Sequence, residues 1–465
     1  MNNLIKQANE QKELSTENFY KNGQELFQSD YWKNLAVDIL REAEILGASS
    51  AELALSVSKG FSVTSRMGEV ETVEYHQGKD IDITVYFGKR SGSATLSDTR
   101  WESVVSAVQA ACHIARFTEE DPCNGLAEAS LLAYSYPQLD LTYPWNISVE
   151  QAIEKACVCE KEAFALDKRI VNSEGVSLST SKSMYLYANS EQFIGFYTAT
   201  GHGMNAVLVA KQGEEMQRDY SYTSSCDPDL LISSSQLAKE SVERTVNRLG
   251  SRRLSTRKAP VIFIAEEARS LLGTFLSAIS GGNLYRKSSF LLNQLDKPIF
   301  PAFINIQEKP HLAKGAGSEP FDHDGVATRE NVFVDNGILK SYSMGVYSAR
   351  QLGMQTTGNA GGAHNLIITT GQLDLAGLLK KMGTGLLVTE VMGPGVNLVT
   401  GDYSRGAAGY WVEQGQIQFP VSEITIASNL RDMYAHIVDI GKDLDIRGNV
   451  RTGSVLIEEM TIAGD

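Results

Sequence analysis

The sequence predicts an α+β fold in which a helix–antiparallel strands–helix unit occurs twice and a strand-rich, barrel-like C-terminal domain follows. In the first half, segments with helical spacing of apolar residues alternate with segments of two-residue spacing, and the same order recurs after about 110 residues. In the second half, from Gly325 onward, short alternating segments and turn residues prevail. Such a stretch is typical of a curved sheet or a partly closed barrel.

The chain has 465 residues, of which 42% are hydrophobic, and this length exceeds one ordinary hydrophobic core. We therefore expect several domains that fold without the help of disulfide bonds. The predicted parts are an N-terminal extension at 1–30, an α+β domain at 31–250 with possible repeats at 31–118 and 146–250, a linker at 251–259, and a β-rich domain at 260–465.

The first repeat begins with a helix from Tyr31 to Leu46, whose apolar residues fall on one face. Alternating strand segments follow, with turns predicted at Met67-Gly68 and at Gln77-Gly78-Lys79. Thr99 and Glu102 have the spacing of a capping box. A second helix is therefore expected to begin near Thr99.

The second repeat has the same order of elements. Ser148 and Gln151 have capping-box spacing at the start of a helix. Strand segments are predicted from Val171 to about Arg218. A helix from Ser235 to Leu249 is expected to close the repeat.

The β-rich domain is predicted to open with a buried strand at Val261–Ile264 and a helix at Glu266–Ser280, which Gly281-Gly282 is expected to end. Asp335-Asn336-Gly337 indicates a hairpin turn. A helix at Leu373–Met382 interrupts a series of further strands, predicted at Leu386–Val391, Asn397–Thr400, Tyr410–Val412 and Ile417–Ile426.

Net charge and cysteine content indicate which partners and which cellular compartment to expect. Lys and Arg number 42 against 56 Asp and Glu, a formal net charge of −14, so direct nucleic-acid binding is not expected. A basic stretch from Arg252 to Lys258 falls in the predicted linker, and we favour a linker role for it over a nucleic-acid patch. The five cysteines fit reduced thiols in a cytoplasm. Neither a signal peptide nor a membrane span is indicated.

Several common catalytic motifs are absent from the sequence: the Walker-type phosphate loop, the dinucleotide-binding glycine motif, the nucleophile elbow and the H-E-x-x-H zinc motif. Asp322-His323-Asp324-Gly325 is rich in metal-ligand residue types, but Asp and Gly also favour turns, and we expect a turn here. Cys157 and Cys159 lie two apart in a predicted helix and point in different directions. Both are expected to pack rather than to bind one metal.

Several long segments of the second half are more specific, and the strongest is Thr400–Val412, which reads TGDYSRGAAGYWV. The others are Ala278–Ser288, Tyr347–Gly353, Thr357–Asn365, Met382–Leu386 and Pro420–Ala427. Together these segments resemble the TldD/TldE metalloprotease family, and its PmbA/TldE branch in particular. The resemblance covers residues 51–465.

The resemblance implies an α+β N-terminal domain, a strand-rich C-terminal domain and a heterodimer that cleaves small or unfolded peptides. In that heterodimer a TldD-like partner holds zinc through an H-E-x-x-x-H helix and a late Cys. The matching positions in this chain are Gly273, Thr274, Ala278 and Thr452, and none can ligate zinc as required. We therefore expect no zinc, no cofactor and no catalytic residue here, with the metal in the partner.

A metal-free subunit can still shape a substrate channel, because edge strands hold extended peptides by main-chain hydrogen bonds. The candidates for contacts to a peptide are Asn359, His364, Asp402, Tyr403 and Arg405. Asp402, Tyr403 and Arg405 lie in the glycine-rich run Gly401–Gly409. The alternative for this run is a tight turn with Arg405 in a structural ion pair. The alternative for Asn359 and His364 is a structural role in a loop.

Two other functions stay open at this point. One is a homodimeric binding or regulatory protein with no proteolytic role, such as the modulator of DNA gyrase suggested for the family. The other is a peptidase with a different, unrecognised site.

Overall fold

The computed structural model describes residues 26–464, so most of the extension predicted at 1–30 lies outside the described residues. Within this range the chain divides into two compact units. The first unit consists of residues 26–61, 75–135 and 181–200. The second unit consists of residues 62–74, 136–180 and 201–464.

The first half of the chain contains two successive runs of one helix, three strands and one helix, which confirms the predicted order of elements. The strand order in the resulting sheet is β3-β2-β1-β4-β5-β6. The elements are α1 (Ser29–Ile45), β1 (Ser50–Arg66), β2 (Glu69–Phe87), β3 (Arg90–Leu96), α2 (Trp101–Phe117), α3 (Val149–Leu166), β4 (Ile170–Asn189), β5 (Ile194–Gln212), β6 (Glu215–Ser225) and α4 (Ser234–Asn247).

Apolar faces of two helices pack on strands to form the core of the first unit. Ile39 of α1, Leu53 and Ile83 of the strands, and Val108 of α2 are all fully buried in this cluster. The helical and two-residue periods of the sequence are thus satisfied by one shared core.

Two local predictions in this half are wrong. Gln77-Gly78-Lys79 is not a turn but lies inside β2, and a Cβ on Gly78 would lie 3.0 Å from the Ser58 hydroxyl. The glycine therefore permits close packing and does not reverse the chain. Helix α2 begins at Trp101 without a side-chain cap, so Thr99 and Glu102 form no capping box. The box at Ser148 and Gln151 is confirmed.

A barrel dominates the second half, which confirms the predicted strand-rich, barrel-like domain. The strand order is β14-β13-β12-β7-β17-β15, and an additional pairing of β14 with β17 closes the ring. β7 pairs in parallel with β12 and antiparallel with β17. The strands are β7 (Arg257–Phe263), β12 (Gly385–Met392), β13 (Asp402–Glu413), β14 (Gln416–Asn429), β15 (Ile437–Ile440) and β17 (Val455–Ala463).

A second, smaller sheet accompanies the barrel in the order β10-β9-β8-β11-β16. Its strands are β8 (Ile306–Glu308), β9 (Asn331–Asp335), β10 (Ile338–Leu339), β11 (Leu366–Ile368) and β16 (Val450–Arg451). The helices of this half are α5 (Ala265–Ala278), α6 (Gly281–Tyr285), α7 (Val346–Gln351), α8 (Leu375–Met382) and α9 (Leu430–Ala435). Among residues 26–464, no helix has the length and apolar content needed to cross a bilayer.

Glycine positions account for most of the differences between sequence and structure in this half. Gly281-Gly282 does not simply end α5 but begins α6. Asn397–Thr400 is a turn and not a strand. Most of the run Gly401–Gly409 is strand and not an interstrand turn, because β13 begins at Asp402 and only Gly401 precedes it, at a φ of 85°. The hairpin turn at Asn336-Gly337 is confirmed, with both residues at positive φ.

Candidate functional site

The four positions that the resemblance assigns to a metal site lie on neighbouring elements. Gly273 and Thr274 are partly exposed on α5, whereas Ala278 is buried. Thr452 directly follows β16, which contacts α5, and it is fully buried. None of these side chains carries an imidazole, carboxylate or thiolate. Within residues 26–464, no group of three or more His, Cys, Asp or Glu is arranged to hold a metal.

An ion-pair network fixes the start of α5 to the segment that leads to Thr452. Glu266 accepts from Arg244 at 2.8 Å and from Arg447 at 3.1 Å. Arg447 also donates to Asp445 at 2.8 Å, and Arg269 of α5 lies 3.4 Å from the same carboxylate. The elements that carry the degenerate metal positions are thus held together by charge-assisted contacts.

The same network continues into α4 and β12. Arg248 donates to Glu390 at 2.5 Å and to Asp219 at 3.4 Å, and Arg244 lies 3.5 Å from Asp219. The Asp219 side chain is only 8% exposed. A carboxylate buried to this degree is tolerated because the guanidinium groups of Arg244 and Arg248 compensate its negative charge.

Glu267, next to this network, is a titratable group near neutrality that the sequence did not single out. Burial, and after it the charges of Glu266 and Glu390, raise the pKa of its carboxyl to about 7. A backbone hydrogen bond from Val391 and the charge of Arg405 act in the opposite direction. Glu267 is therefore only partly ionised at neutral pH.

Two of the three candidates on β13, Tyr403 and Arg405, interact electrostatically with this carboxyl. Exposed Asp402 accepts from Thr400 Oγ1 at 2.6 Å, and Arg405 Nε donates to the carbonyl of Gly393 at 3.0 Å. Tyr403 is only 2% exposed, and burial raises the pKa of its hydroxyl to about 12. A ligand at the surface of β13 would therefore meet Asp402 and Arg405 and not the Tyr403 ring.

Asn359 and His364 come together around one buried carboxylate, that of Glu308. His364 Nδ1 lies 2.9 Å from Glu308 Oε1, which also accepts from Asn359 Nδ2 at 2.7 Å. The backbone amide of His364 donates to the same oxygen at 2.6 Å. Asn331 Nδ2 donates to Glu308 Oε2 at 2.6 Å.

This environment keeps His364 protonated. Burial by itself lowers the pKa of the imidazole, but hydrogen bonds and charges of Glu308 and Glu319 outweigh it and raise the pKa to about 9. The second ring nitrogen lies 3.6 Å from Glu319 Oε2. The ion pair therefore has a structural role and holds the loop of His364 to β8, since a protonated imidazole cannot act as a base or a metal ligand.

The segment Asp322-His323-Asp324-Gly325 forms a turn, as expected from its composition. The Gly325 amide donates to the Asp322 carbonyl at 3.0 Å, and Gly325 has a φ of 74°. Burial raises the pKa of both carboxyl groups, Asp322 and Asp324. Backbone amides, including that of Ala360 at 3.0 Å, satisfy the oxygens of Asp322. The turn thus braces the loop before His364.

The structure brings the five candidates together as two groups, Asn359 with His364 and Asp402 with Tyr403 and Arg405. Among residues 26–464 no hydrogen bond or ion pair joins the two groups. Sequence reasoning missed Glu308. One signal was present: β8 alternates buried, exposed and buried, and a charged residue at a buried position requires a partner.

Models of one protein family match most of the chain. The three models are described as PmbA/TldA metallopeptidase domain 1, central domain and C-terminal domain, and they match residues 51–115, 142–249 and 256–464. The matched ranges include α5, the barrel strands and both groups of candidate residues.

Curated relatives are similar over nearly their whole length. Metalloprotease PmbA of Escherichia coli is 46% identical and aligns with 90% of this chain and 93% of its own length. The metalloprotease PmbA homolog of Haemophilus influenzae is 42% identical, with 92% and 96% covered.

Two solved structures share the fold. A Bacteroides thetaiotaomicron protein described as a candidate modulator of DNA gyrase superposes with a TM-score of 0.89 at 26% identity, covering 94% of this chain and 100% of that one. TldE of Thermococcus kodakarensis superposes with a TM-score of 0.78 at 20% identity, covering 92% and 100%.

Proposed function

Because the chain belongs to the PmbA/TldA metallopeptidase family, we propose that it is the metal-free partner of a zinc-bearing, TldD-like subunit and hydrolyses no peptide by itself. The observation that carries the proposal is the set of side chains at the family's metal positions. These are Gly273, Thr274 and Ala278 on α5 and Thr452 after β16. Hydrolytic zinc sites use about three protein ligands and a water, and these positions supply none.

The scaffold around those positions supports a role in an assembled enzyme. Glu266 and Asp445 bind Arg447 and so tie α5 to the segment before Thr452. A rigid scaffold without the reacting groups suits a subunit that shapes a site completed by another chain. The substrates proposed for the pair are small or unfolded peptides.

Asp402 and Arg405 are the residues proposed to contact such a peptide. Asp402 is exposed, and Arg405 is partly exposed, on strand β13. A carboxylate and a guanidinium can pair with opposite charges or main-chain groups of a peptide. Asn359 and His364 are proposed to act indirectly, because both are buried around Glu308.

The test is to purify this chain, a TldD-like subunit and the co-expressed pair, and to measure zinc per chain and cleavage of an unfolded peptide. We expect zinc in the TldD-like subunit, none at stoichiometric level in this chain, and cleavage with the pair. Stoichiometric zinc and peptide cleavage by this chain alone would refute the proposal. Failure of the two chains to associate would refute the partnership.

A regulatory binding protein is the second candidate function. The similarity to the Bacteroides protein described as a candidate modulator of DNA gyrase favours it. This function predicts a homodimer that does not associate with a TldD-like subunit. The co-expression experiment therefore separates the two candidates. A peptidase with a different site predicts cleavage by this chain alone.

A further inference from the structure

Two tyrosine rings and two cations form a cluster at the end of α6 and on α7. The cluster is here called the tyrosine–cation patch and is defined by Tyr285, Arg286, Lys287 and Tyr347. The two tyrosine rings pack edge to face with centroids 5.7 Å apart and an interplanar angle of 79°. The Arg286 guanidinium lies 5.2 Å from the centroid of the Tyr285 ring. It also donates to the Tyr285 hydroxyl at 3.1 Å.

The backbone beneath the patch is held tightly. A Cβ on Gly281 would lie 2.3 Å from the Ser348 hydroxyl, so only glycine allows α6 to approach α7 this closely. The Gly281 amide donates to the Ser343 carbonyl at 2.8 Å. Lys287 has a φ of 57°, a left-handed conformation that is uncommon for a residue with a side chain. The four side chains are therefore presented from a preorganised backbone.

No described carboxylate between residues 26 and 464 compensates the charge of the patch. Arg286 and Lys287 are exposed, and neither forms an ion pair with a carboxylate among residues 26–464. Arg286 uses its guanidinium on neutral partners, Tyr285 and Asn283. By contrast, the exposed guanidinium of Arg253 is paired with Glu423. Two unpaired cations side by side are therefore unusual on a chain whose net charge is −14.

The patch also exposes aromatic surface beside the two cations. Tyr347 is 38% exposed, and its hydroxyl accepts from Gln351 Nε2 at 3.0 Å. Tyrosine and arginine are enriched among the residues that dominate binding energy in protein interfaces, because rigid rings offer contact area at little entropic cost. Complementary charge then selects the partner.

We propose that the tyrosine–cation patch docks an acidic segment of another polypeptide. Carboxylates of the segment face Arg286 and Lys287, and an apolar side chain packs against Tyr285 and Tyr347. An acidic segment is the favoured ligand because its carboxylates complement the charges of Arg286 and Lys287. The residues of the patch differ from the metal positions on α5, and the proposal does not depend on the function proposed above.

The proposal is tested with a fluorescein-labelled peptide of alternating glutamate and phenylalanine and a second peptide in which glutamine replaces every glutamate. Fluorescence anisotropy is measured with the full chain and with three variants: Arg286→Gln combined with Lys287→Gln, Tyr347→Ala, and Arg252→Gln. The last is the matched control, because exposed Arg252 also lies over an aromatic ring, that of Phe419, at 4.6 Å.

We expect the acidic peptide to bind at least about tenfold more tightly than the glutamine peptide, and the double variant and Tyr347→Ala to weaken it by a similar factor. The control variant is expected to bind like the unaltered chain. Equal binding of the two peptides, or equal loss in the control, would overturn the proposal. Tighter binding of a DNA duplex than of the acidic peptide, or a homodimer in sedimentation that the double variant dissociates, would also overturn it.

Discussion

The imidazole of His364 and the carboxylate of Glu308 form a buried ion pair, with Nδ1 and Oε1 2.9 Å apart and both side chains at most 3% exposed. Since His364 lies in a loop and Glu308 lies in β8, the pair joins that loop to the smaller sheet of the second unit. The strength of this ion pair determines the effect of replacing Glu308 and the dependence of stability on pH.

Replacement of Glu308 by Gln is expected to reduce the free energy of unfolding by about 3 kcal/mol, because a buried imidazolium loses its counter-charge. Chemical denaturation at pH 7 measures this change. Glu423→Gln is the matched control, since Glu423 pairs with Arg253 but its side chain is 65% exposed; a loss below about 0.5 kcal/mol is expected there. Equal losses in the two variants would contradict a special role for the buried pair.

Stability is expected to fall as the pH rises through the pKa of His364. That pKa is raised from 6.5 to about 9, so the protonated ring contributes its full stabilisation below about pH 6.5 and loses it as the pH passes 9. A loss on the order of 2 kcal/mol is expected between pH 7 and 10. Denaturation at a series of pH values, compared with His364→Asn, measures it. Imidazole NMR signals of His364 that titrate near pH 6.5 would refute the prediction.

Glu267→Gln is expected to stabilise the protein at pH 8 and to leave it unchanged at pH 4. Because the folded pKa of Glu267 is raised from 4.5 to about 7, its ionisation opposes folding, and stability decreases as the pH rises between these two values. A gain of about 1 kcal/mol at pH 8 is expected after allowance for solvent screening. Thermal or chemical unfolding at both pH values tests this, and a stabilisation that is equal at pH 4 and pH 8 would count against it.

Gly409→Ala and Gly273→Ala are expected to change stability in opposite directions. A Cβ on Gly409 would lie 1.9 Å from the carbonyl oxygen of Leu387 on the neighbouring strand, so a loss of about 3 kcal/mol or more is expected. A Cβ on Gly273 in α5 meets no atom within 4 Å, and alanine there should add about 0.5–1 kcal/mol. Denaturant unfolding of both variants measures the difference, and a stabilising Gly409→Ala would show that β13 does not pack against β12 as described.

Most of the correct sequence predictions depended on patterns of residues that are close together in the sequence. The buried face of α1, the capping box at Ser148 and the turn at Asn336-Gly337 depend on residues a few positions apart. Gly78 was misread as a turn residue, and a turn was the alternative interpretation for the run that contains Gly409. Gly78 lies in the middle of β2 next to the Ser58 hydroxyl, and Gly409 lies in the middle of β13 next to the backbone of Leu387, because a missing Cβ leaves room for these atoms.

The candidate site was predictable only in part, because its partners are distant in sequence. Glu308 and His364 are 56 positions apart, and no sequence pattern in either segment indicates that the two residues are partners. The segments that carry Asn359, His364, Asp402 and Arg405 stood out by resemblance. Their sorting into a buried group and a surface group required the sheet positions of β8 and β13, which follow from long-range strand pairing.

The position of β7 in the barrel has a consequence for synthesis of the protein. β7 (Arg257–Phe263) lies between β12 and β17 and pairs with strands that are translated much later. During translation its edges therefore stay open until Val455–Ala463 has left the ribosome, and open strand edges favour aggregation. Closure of the barrel consequently requires β17, whereas the helix–strand repeats precede β7 and can fold before the barrel strands are complete.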